Sequence, residues 1–280
     1  MENESWVTGR VGIKIGGQPV EMELTVPASP VKPQRMLPVF QKMTNAIVGL
    51  SEDAVREAGL EISCKLGCGA CCRQPVPIAE SEVYQLAALV EEMPEPRRTV
   101  IKQRFAEANG HFHDIGWYES VAKLADQAAP SDPNFISNDL LDQTMRYFRE
   151  GIACPFLEDE SCSIHQDRPL ACREYLVTSP AENCAAPTAE SIEKVPLLLH
   201  PSRANRYVGR TGNLAKWGVV PLVRALEFAA DIPESFELRT GERWAAEFFQ
   251  QLSKTEIPES GIKPAAKARS KKRHKKRKNS

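Results

Sequence analysis

Four cysteines fall within nine residues, Cys64-Lys-Leu-Gly-Cys68-Gly-Ala-Cys71-Cys72, and four more, Cys154, Cys162, Cys172 and Cys184, follow in a second stretch some eighty residues later. Clustered thiols bind metal when they can converge as thiolates without much chain entropy left to lose. A short loop bearing Gly67 and Gly69 supplies that, because small residues let the backbone curl while the sulfurs point inward. Adjacent side chains diverge by about 100° in a helix and point to opposite faces in a strand. One of Cys71 and Cys72 is therefore expected to face a second metal, a cluster edge or the apolar core. Zinc and iron–sulfur centres both accept four thiolates. Eight thiols can fill two four-thiolate zinc sites, whereas three close thiols plus a distant one favour a cubane cluster, and iron–sulfur is the preferred reading.

In the second stretch, Cys154-Pro-Phe-Leu-Glu-Asp-Glu-Ser-Cys162 predicts two short strands around an acidic turn. The segment Arg168-Pro169-Leu-Ala-Cys172-Arg173 then predicts a helix start, with Pro169 at the first position, where no N–H is needed. A thiolate at Cys172 would gain from the helix dipole. Arg168 and Arg173 can offset the negative charge of several thiolates, or serve as ordinary surface and cap arginines. His111-Phe-His113-Asp114 offers further ligand types, but two histidines in a loop between helices more commonly face solvent.

The elements that must hold these loops are mainly helical. Val11, Ile13 and Ile15 alternate with polar or small residues up to Gly16-Gly17, and Val20, Met22, Leu24 and Val26 alternate after it, predicting a β-hairpin docked on a helical body. Four prolines between Pro27 and Pro38 predict an extended connector. Helices are expected over Leu37 to Ala58 with a break near Gly49 and Ser51, over Val83 to Val90 behind a Ser81 cap, and over Arg97 to Ala108. Further helices are expected over Ser120 to Ala128, over Ser137 to Glu150 with Leu140, Leu141, Met145 and Phe148 on one face, over Leu214 to Ala230, and over Gly241 to Leu252. The organisation is residues 1–32 as hairpin and connector, 33–256 as a helical cysteine-cluster domain, and 257–280 as a basic tail.

Composition is that of a globular chain, with 42% apolar and 26% charged residues. The acidic start precedes no apolar segment of a secretory signal, and no apolar run approaches the roughly 20 residues of a membrane span. A reducing cytosol is the expected compartment, where clustered thiols mean metal or redox chemistry more than disulfides. Residues 263–280 hold ten Lys or Arg and no acid, which leaves the remainder with 26 Lys or Arg against 37 Asp or Glu, a formal −11. The octamer Lys271 to Lys278 has nothing apolar to fold around and is expected to be a disordered extension. It suits nucleic acid or another polyanion, bound without regard to sequence.

The pattern Cys-x3-Cys-x2-Cys-Cys, then Val-Pro-Ile and a helix, then Cys-Pro-Phe-Leu and Cys-Ser-Ile-His-x2-Arg-Pro-x2-Cys-Arg resembles the YkgJ-type cysteine-cluster family. The resemblance runs from Cys64 to Cys184. It implies a zinc- or iron-chelating domain, of a kind also found in flagellin lysine methyltransferases, where it is associated with an iron–sulfur cluster. Carried over residue by residue, it implies Cys64, Cys68, Cys71, Cys72, Cys154, Cys162, Cys172 and Cys184 as metal candidates. His165 stands where many relatives have tyrosine, which implies a structural ring over an obligatory ligand. No glycine-rich SAM-binding loop follows a strand, so methyltransferase activity does not transfer. The spacing Cys64-x3-Cys68-x2-Cys71 also resembles radical SAM enzymes, but their βα-barrel requires a strand–helix alternation this chain lacks. The function expected is metal binding through cysteines of two distant segments. The alternative is a zinc-stabilised, non-catalytic module that docks on nucleic acid or the ribosome through its tail.

Overall fold

The computed structural model describes residues 5–15, 18–65, 67–127, 138–188, 190–214 and 217–255. It is mainly helical with an N-terminal β-hairpin. In chain order the elements are β1 (Trp6–Ile15), β2 (Gln18–Pro27), β3 (Pro30–Val31), α1 (Leu37–Glu57), β4 (Pro77–Ala79), α2 (Glu80–Glu91), α3 (Arg97–Asp114), α4 (Trp117–Gln127) and α5 (Asn138–Arg149). There follow β5 (Leu157–Glu158), β6 (Ser161–Cys162), α6 (Leu170–Glu174), α7 (Pro201–Asn205), β7 (Val219–Pro221), α8 (Ala225–Asp231), β8 (Arg239–Thr240) and α9 (Gly241–Leu252). Tight 3-10 turns at Ala70–Arg73 and Ala181–Ala185 carry cysteines. Among the described residues no helix is long and apolar enough to cross a membrane.

The hairpin pairs in antiparallel register from Trp6 opposite Pro27 to Ile15 opposite Gln18. Alternation gives it one apolar face, and Ile15, Leu24 and Val26 are buried in the same cluster as Phe40 of α1 and Trp244 and Phe248 of α9. Phe40 and Phe248 stack with centroids 4.1 Å apart, and Trp244 Nε1 donates to the Val31 carbonyl at 2.8 Å. A side chain at Gly241 would meet Val26 Cβ and the Pro27 carbonyl at 2.7 Å, so glycine lets α9 start against β2. A second cluster joins α2, α3 and α8 through Leu86, Phe105 and Phe228 and includes Phe156 beside the second cysteine stretch. A third is built on Phe112 of α3 stacked on Tyr147 of α5 at 3.8 Å.

Several expectations are corrected. Helix α1 runs unbroken through Gly49 and Ser51, because Ile47, Val48 and Val55 bury a continuous face across the expected break. Ser81 is not a cap: α2 starts at Glu80 behind Ala79, and the Glu82 carboxylate accepts the Ala79 N–H at 2.8 Å. Helix α3 continues to Asp114, so His111 and His113 lie in a helical last turn and not in a loop. In α5 the buried residue is Tyr147, held by its stack on Phe112, while Leu141 is exposed. The expected helix from Leu214 instead holds strand β7, paired with β4, and a 3-10 turn at Leu222–Arg224, before α8 begins at Ala225. Pro221 has no N–H to continue a helix. The Gly16-Gly17 turn and the basic tail lie outside the described residues.

Candidate metal centre

The first cysteine segment is a loop that closes into the Ala70–Arg73 turn, with Cys68 N–H on the Lys65 carbonyl at 3.2 Å and Cys72 N–H on the Gly69 carbonyl at 2.9 Å. Gly67 has a φ of +82°, the left-handed conformation that glycine reaches without steric cost. The second segment begins with a two-residue hairpin whose Asp159 and Glu160 both have positive φ, 48° and 55°. Both central residues left-handed is the geometry of a type I′ turn, which usually recruits Asn-Gly. Here the acidic turn is held from outside. Arg73 donates to Glu160 through both terminal nitrogens, at 2.8 and 3.2 Å, and to the Gly69 carbonyl at 3.1 Å.

Four contacts press the two segments together. Cys154 N–H donates to the Cys72 carbonyl at 2.7 Å. A Cβ on Gly69 would meet Glu160 Oε2 at 2.6 Å and Leu157 Cδ1 at 2.7 Å, side-chain ends that would have to shift, and the Glu160 Cα at 3.1 Å, so the glycine lies close beneath the hairpin. Ser63 donates through its N–H to the Val177 carbonyl at 2.9 Å, and the Ala70–Arg73 turn packs on the Ala181–Ala185 turn that carries Cys184.

The eight cysteines are unbridged and fall into two overlapping neighbourhoods. Cys184 feels the charges of Cys64, Cys71 and Cys68, and its thiol is pushed up to about 11 by burial first and by those neighbours second. Cys172 feels Cys154, Cys162 and Cys71, and burial and the neighbouring thiols hold it well above the ordinary range. Burial likewise pushes Cys154 up to about 12. Cys154, Cys162 and Cys172 pack together on the cluster of Phe105, Phe156 and Ile164. Cys71 belongs to both neighbourhoods, and the adjacent Cys72 thiol together with burial pushes its own thiol pKa up.

Cys172 does sit in the first turn of α6, as expected, but burial outweighs any stabilisation of its thiolate by the short helix. Arg173 is buried and tied into the fold: it donates to the Arg168 carbonyl at 3.0 Å, to Asn45 Oδ1 at 3.1 Å and to the Gln166 carbonyl. Arg168 is only partly buried, and its charge opposes in part the rise that burial imposes on the thiols of Cys64, Cys162 and Cys172. His165 is exposed, so it is not a packed ring. His111 and His113 lie with other partners, on Glu150 at 2.8 Å and Glu227 at 3.0 Å.

Glu82 and the Arg73–Glu160 pair position the cysteines without resembling ligands. Glu82 is buried, accepting the Ala79 N–H at one oxygen and the Leu170 N–H at the other, each at 2.8 Å, so it fastens the start of α6 to that of α2. Burial pushes its pKa up to about 7. The sequence signal for it was a glutamate in the first turn of a helix; the signal for Arg73 was a cation next to Cys72.

Among the described residues no three Cys, His, Asp or Glu side chains are already posed around one point as a metal would require. The sulfurs are neighbours, brought together by backbone contacts, and not a closed coordination shell. The donor types do fit a thiophilic metal: the thiols of both segments influence one another, and the nearby carboxylate Glu160 is engaged by Arg73.

No curated protein and no solved structure matches the chain. The model of one family does match, over residues 63–193, just under half the chain and including all eight cysteines. That segment matches the CxxCxxCC family, described as a putative zinc- or iron-chelating domain, the YkgJ-type family that its motifs resemble.

Proposed function

We propose that the chain binds metal through cysteines of both segments, in two thiolate sets that adjoin at Cys71 and Cys72. Cys64, Cys68, Cys71 and Cys184 form the first set and Cys72, Cys154, Cys162 and Cys172 the second. The observation that carries this reading is the docking of one cysteine segment on the other, through the Cys154 N–H to Cys72 carbonyl bond and the close fit of Gly69 under the Glu160 turn. It leaves Cys71 electrostatically coupled to thiols on both sides. For the first set we favour an iron–sulfur cluster over zinc, since three thiols of one short loop with a distant fourth suit a cubane. When bound, such a group would supply electron transfer or Lewis acidity. The chain's own residues gather the thiols, packing Cys154, Cys162 and Cys172 on the apolar cluster of Phe156 and burying Cys184 in the other set.

Burial and the neighbouring thiols push the pKa of Cys154 and Cys184 up, and a bound cation reverses that balance by making the thiolate the favoured form. We place the protein in a reducing cytosol, which keeps the thiols available. Anaerobic purification with iron, sulfide and zinc analysis and an absorption spectrum tests the assignment. Iron with sulfide in equal amounts and broad visible absorption is expected; a colourless protein with stoichiometric zinc overturns the iron–sulfur choice. Unchanged metal content in Cys68→Ala and in Cys172→Ala overturns the ligand sets. The basic octamer Lys271 to Lys278 supports a second element of the reading, contact with nucleic acid or another polyanion. Removal of residues 263–280 is expected to abolish a salt-sensitive nucleic-acid affinity, and an unchanged affinity overturns it.

A further inference from the structure

Helix α3 carries no cysteine, yet one of its faces is spent on the hairpin between Cys154 and Cys162. Arg97, Ile101, Arg104 and Phe105 recur there at helical spacing. Ile101 and Phe105 are buried, and the Phe105 ring meets Phe156 edge-on with centroids 5.3 Å apart. The two arginines, two helical turns apart, reach the hairpin's backbone on different arms. Arg104 Nη1 donates to the Pro155 and Leu157 carbonyls at 3.3 and 3.4 Å, on the arm that follows Cys154. Arg97 Nη2 donates to the Ser163 carbonyl at 3.4 Å, directly after Cys162. Ser163 in turn closes the loop, with its N–H and its hydroxyl both on the Phe156 carbonyl at 2.9 Å. The Glu158 carboxylate lies near both guanidiniums, but at 3.6 and 3.9 Å from their nitrogens it is beyond hydrogen-bond reach. The arginines therefore grip main chain. Pro155 and Ser163 each adjoin a cysteine, so fixing their carbonyls fixes the backbone of Cys154 and Cys162.

We infer that α3 is the template of the second cysteine set: Arg97 and Arg104 are positioning residues that hold the arms bearing Cys154 and Cys162 at one separation before any metal arrives. Each bond is long and each donor side chain partly exposed, so the pair adds little to global stability. What it removes is freedom. The arms pair over only two residues each, Leu157 with Cys162 and Glu158 with Ser161, and so short a ribbon is marginal by itself. A metal that had to order it would lose affinity to that ordering. This rests on the metal-binding reading proposed above, and it concerns the second set and not the loop of Cys64 and Cys68.

Two readouts on the full chain separate this role from general support. In the reduced, metal-free chain, alkylation followed by mass spectrometry reports each thiol. Arg104→Gln, alone and with Arg97→Gln, is expected to speed labelling of Cys154 and Cys162 about tenfold while Cys64 and Cys68 change by less than about twofold. Cobalt(II), a tetrahedral thiolate probe, is then titrated against a chelator in a Cys68→Ala background, which leaves the second set, and in a Cys172→Ala background, which leaves the first. The arginine changes are expected to weaken cobalt binding about 10–100-fold in the Cys68→Ala chain, the range typical of groups that support metal ligands, and by less than about twofold in the Cys172→Ala chain. Glu158→Gln, which removes the nearby charge and keeps both arginines, is expected to leave labelling and cobalt affinity unchanged. Equal effects on the two sets overturn the inference, as do unchanged labelling or a Glu158→Gln chain as loose as the arginine variants. Circular dichroism identifies folded variants, and either the single or the double change suffices; unfolding by both also overturns it. If the unmodified chain shows no cobalt–thiolate absorption, the metal-binding reading is what fails, and the labelling still tests the template.

Discussion

From Leu37 to Glu57 and from Gly241 to Leu252 the chain makes long helices that bury Phe40, Trp244 and Phe248 against the hairpin, whereas no regular element carrying a cysteine exceeds five residues. The first region is stabilised by apolar area and needs nothing else. The second is a chain of tight turns far below the length at which a helix sustains itself, about 12–15 residues. Beside the buried Phe156, Ile164 and Leu170, its order comes from a few single contacts: a backbone bond between Cys154 and Cys72, a glycine under a turn, a charge pair, a buried carboxylate. A region stabilised that way keeps its shape only while each contact holds, and it is where a bound metal would add the most. The helical body thus acts as a frame, and the cysteine loops as a fitting attached to it.

The contrast is broken or sharpened by substitution, beginning with the frame. Trp244→Ala, which empties the first cluster and removes the bond to Val31, is expected to cost about 3–5 kcal/mol and to unfold frame and fitting together. A urea titration that left the frame intact would contradict its assigned role. The joint between the two regions is Glu82. Its folded pKa of about 7 lies above the unfolded carboxylate value, so the folded protein binds this proton more tightly than the unfolded chain does. The stability it contributes is therefore full below about pH 4.5 and declines as pH rises to about 7, by roughly 3 kcal/mol, with no further change above. Unfolding midpoints at pH 5 and pH 8 should show that decline, and Glu82→Gln should flatten it.

Within the fitting the effects become smaller and more local. Gly69→Ala drives a methyl into Leu157 and Glu160 and is expected to cost about 1–3 kcal/mol. Hydrogen exchange should then accelerate in residues 63–73 and 154–162 while α1 and α9 stay protected; acceleration in α9 would dissolve the distinction between the regions. Arg73→Gln removes a pair with a half-buried and an exposed partner and is expected to cost less than about 1 kcal/mol. Glu160→Gly loses the same pair but relaxes a left-handed φ, so it should cost less than Arg73→Gln in the same thermal unfolding assay.

What the sequence disclosed follows the same division. Helix α9 was legible to the residue, because Gly241 starts it and Trp244 and Phe248 recur at helical spacing on one face. The hairpin was legible from alternation alone. Helix α5 was found, with Leu140, Met145 and Phe148 half-buried as expected, but its most buried residue was missed, since Tyr147 is held by a stack on Phe112, a partner 35 residues away that no local period can reveal. The end of α3 was missed because His111 and His113 resemble loop residues until Glu150 and Glu227 are seen beside them. At the candidate site the cysteines and the acidic turn were readable from spacing. The docking of Gly69 on Glu160 was not, because it depends on the shape of two segments that meet only in the folded chain.

The bond from the Cys154 N–H to the Cys72 carbonyl also implies an order of events during synthesis. The first four cysteines leave the ribosome 82 residues before Cys154 does. At about 5–20 residues per second they wait roughly 4–16 s with no second segment to dock on. Through that interval they are open to oxidation, to pairing with one another or to capture of a stray ion, so the conditions around the nascent chain bear on which species the finished site holds.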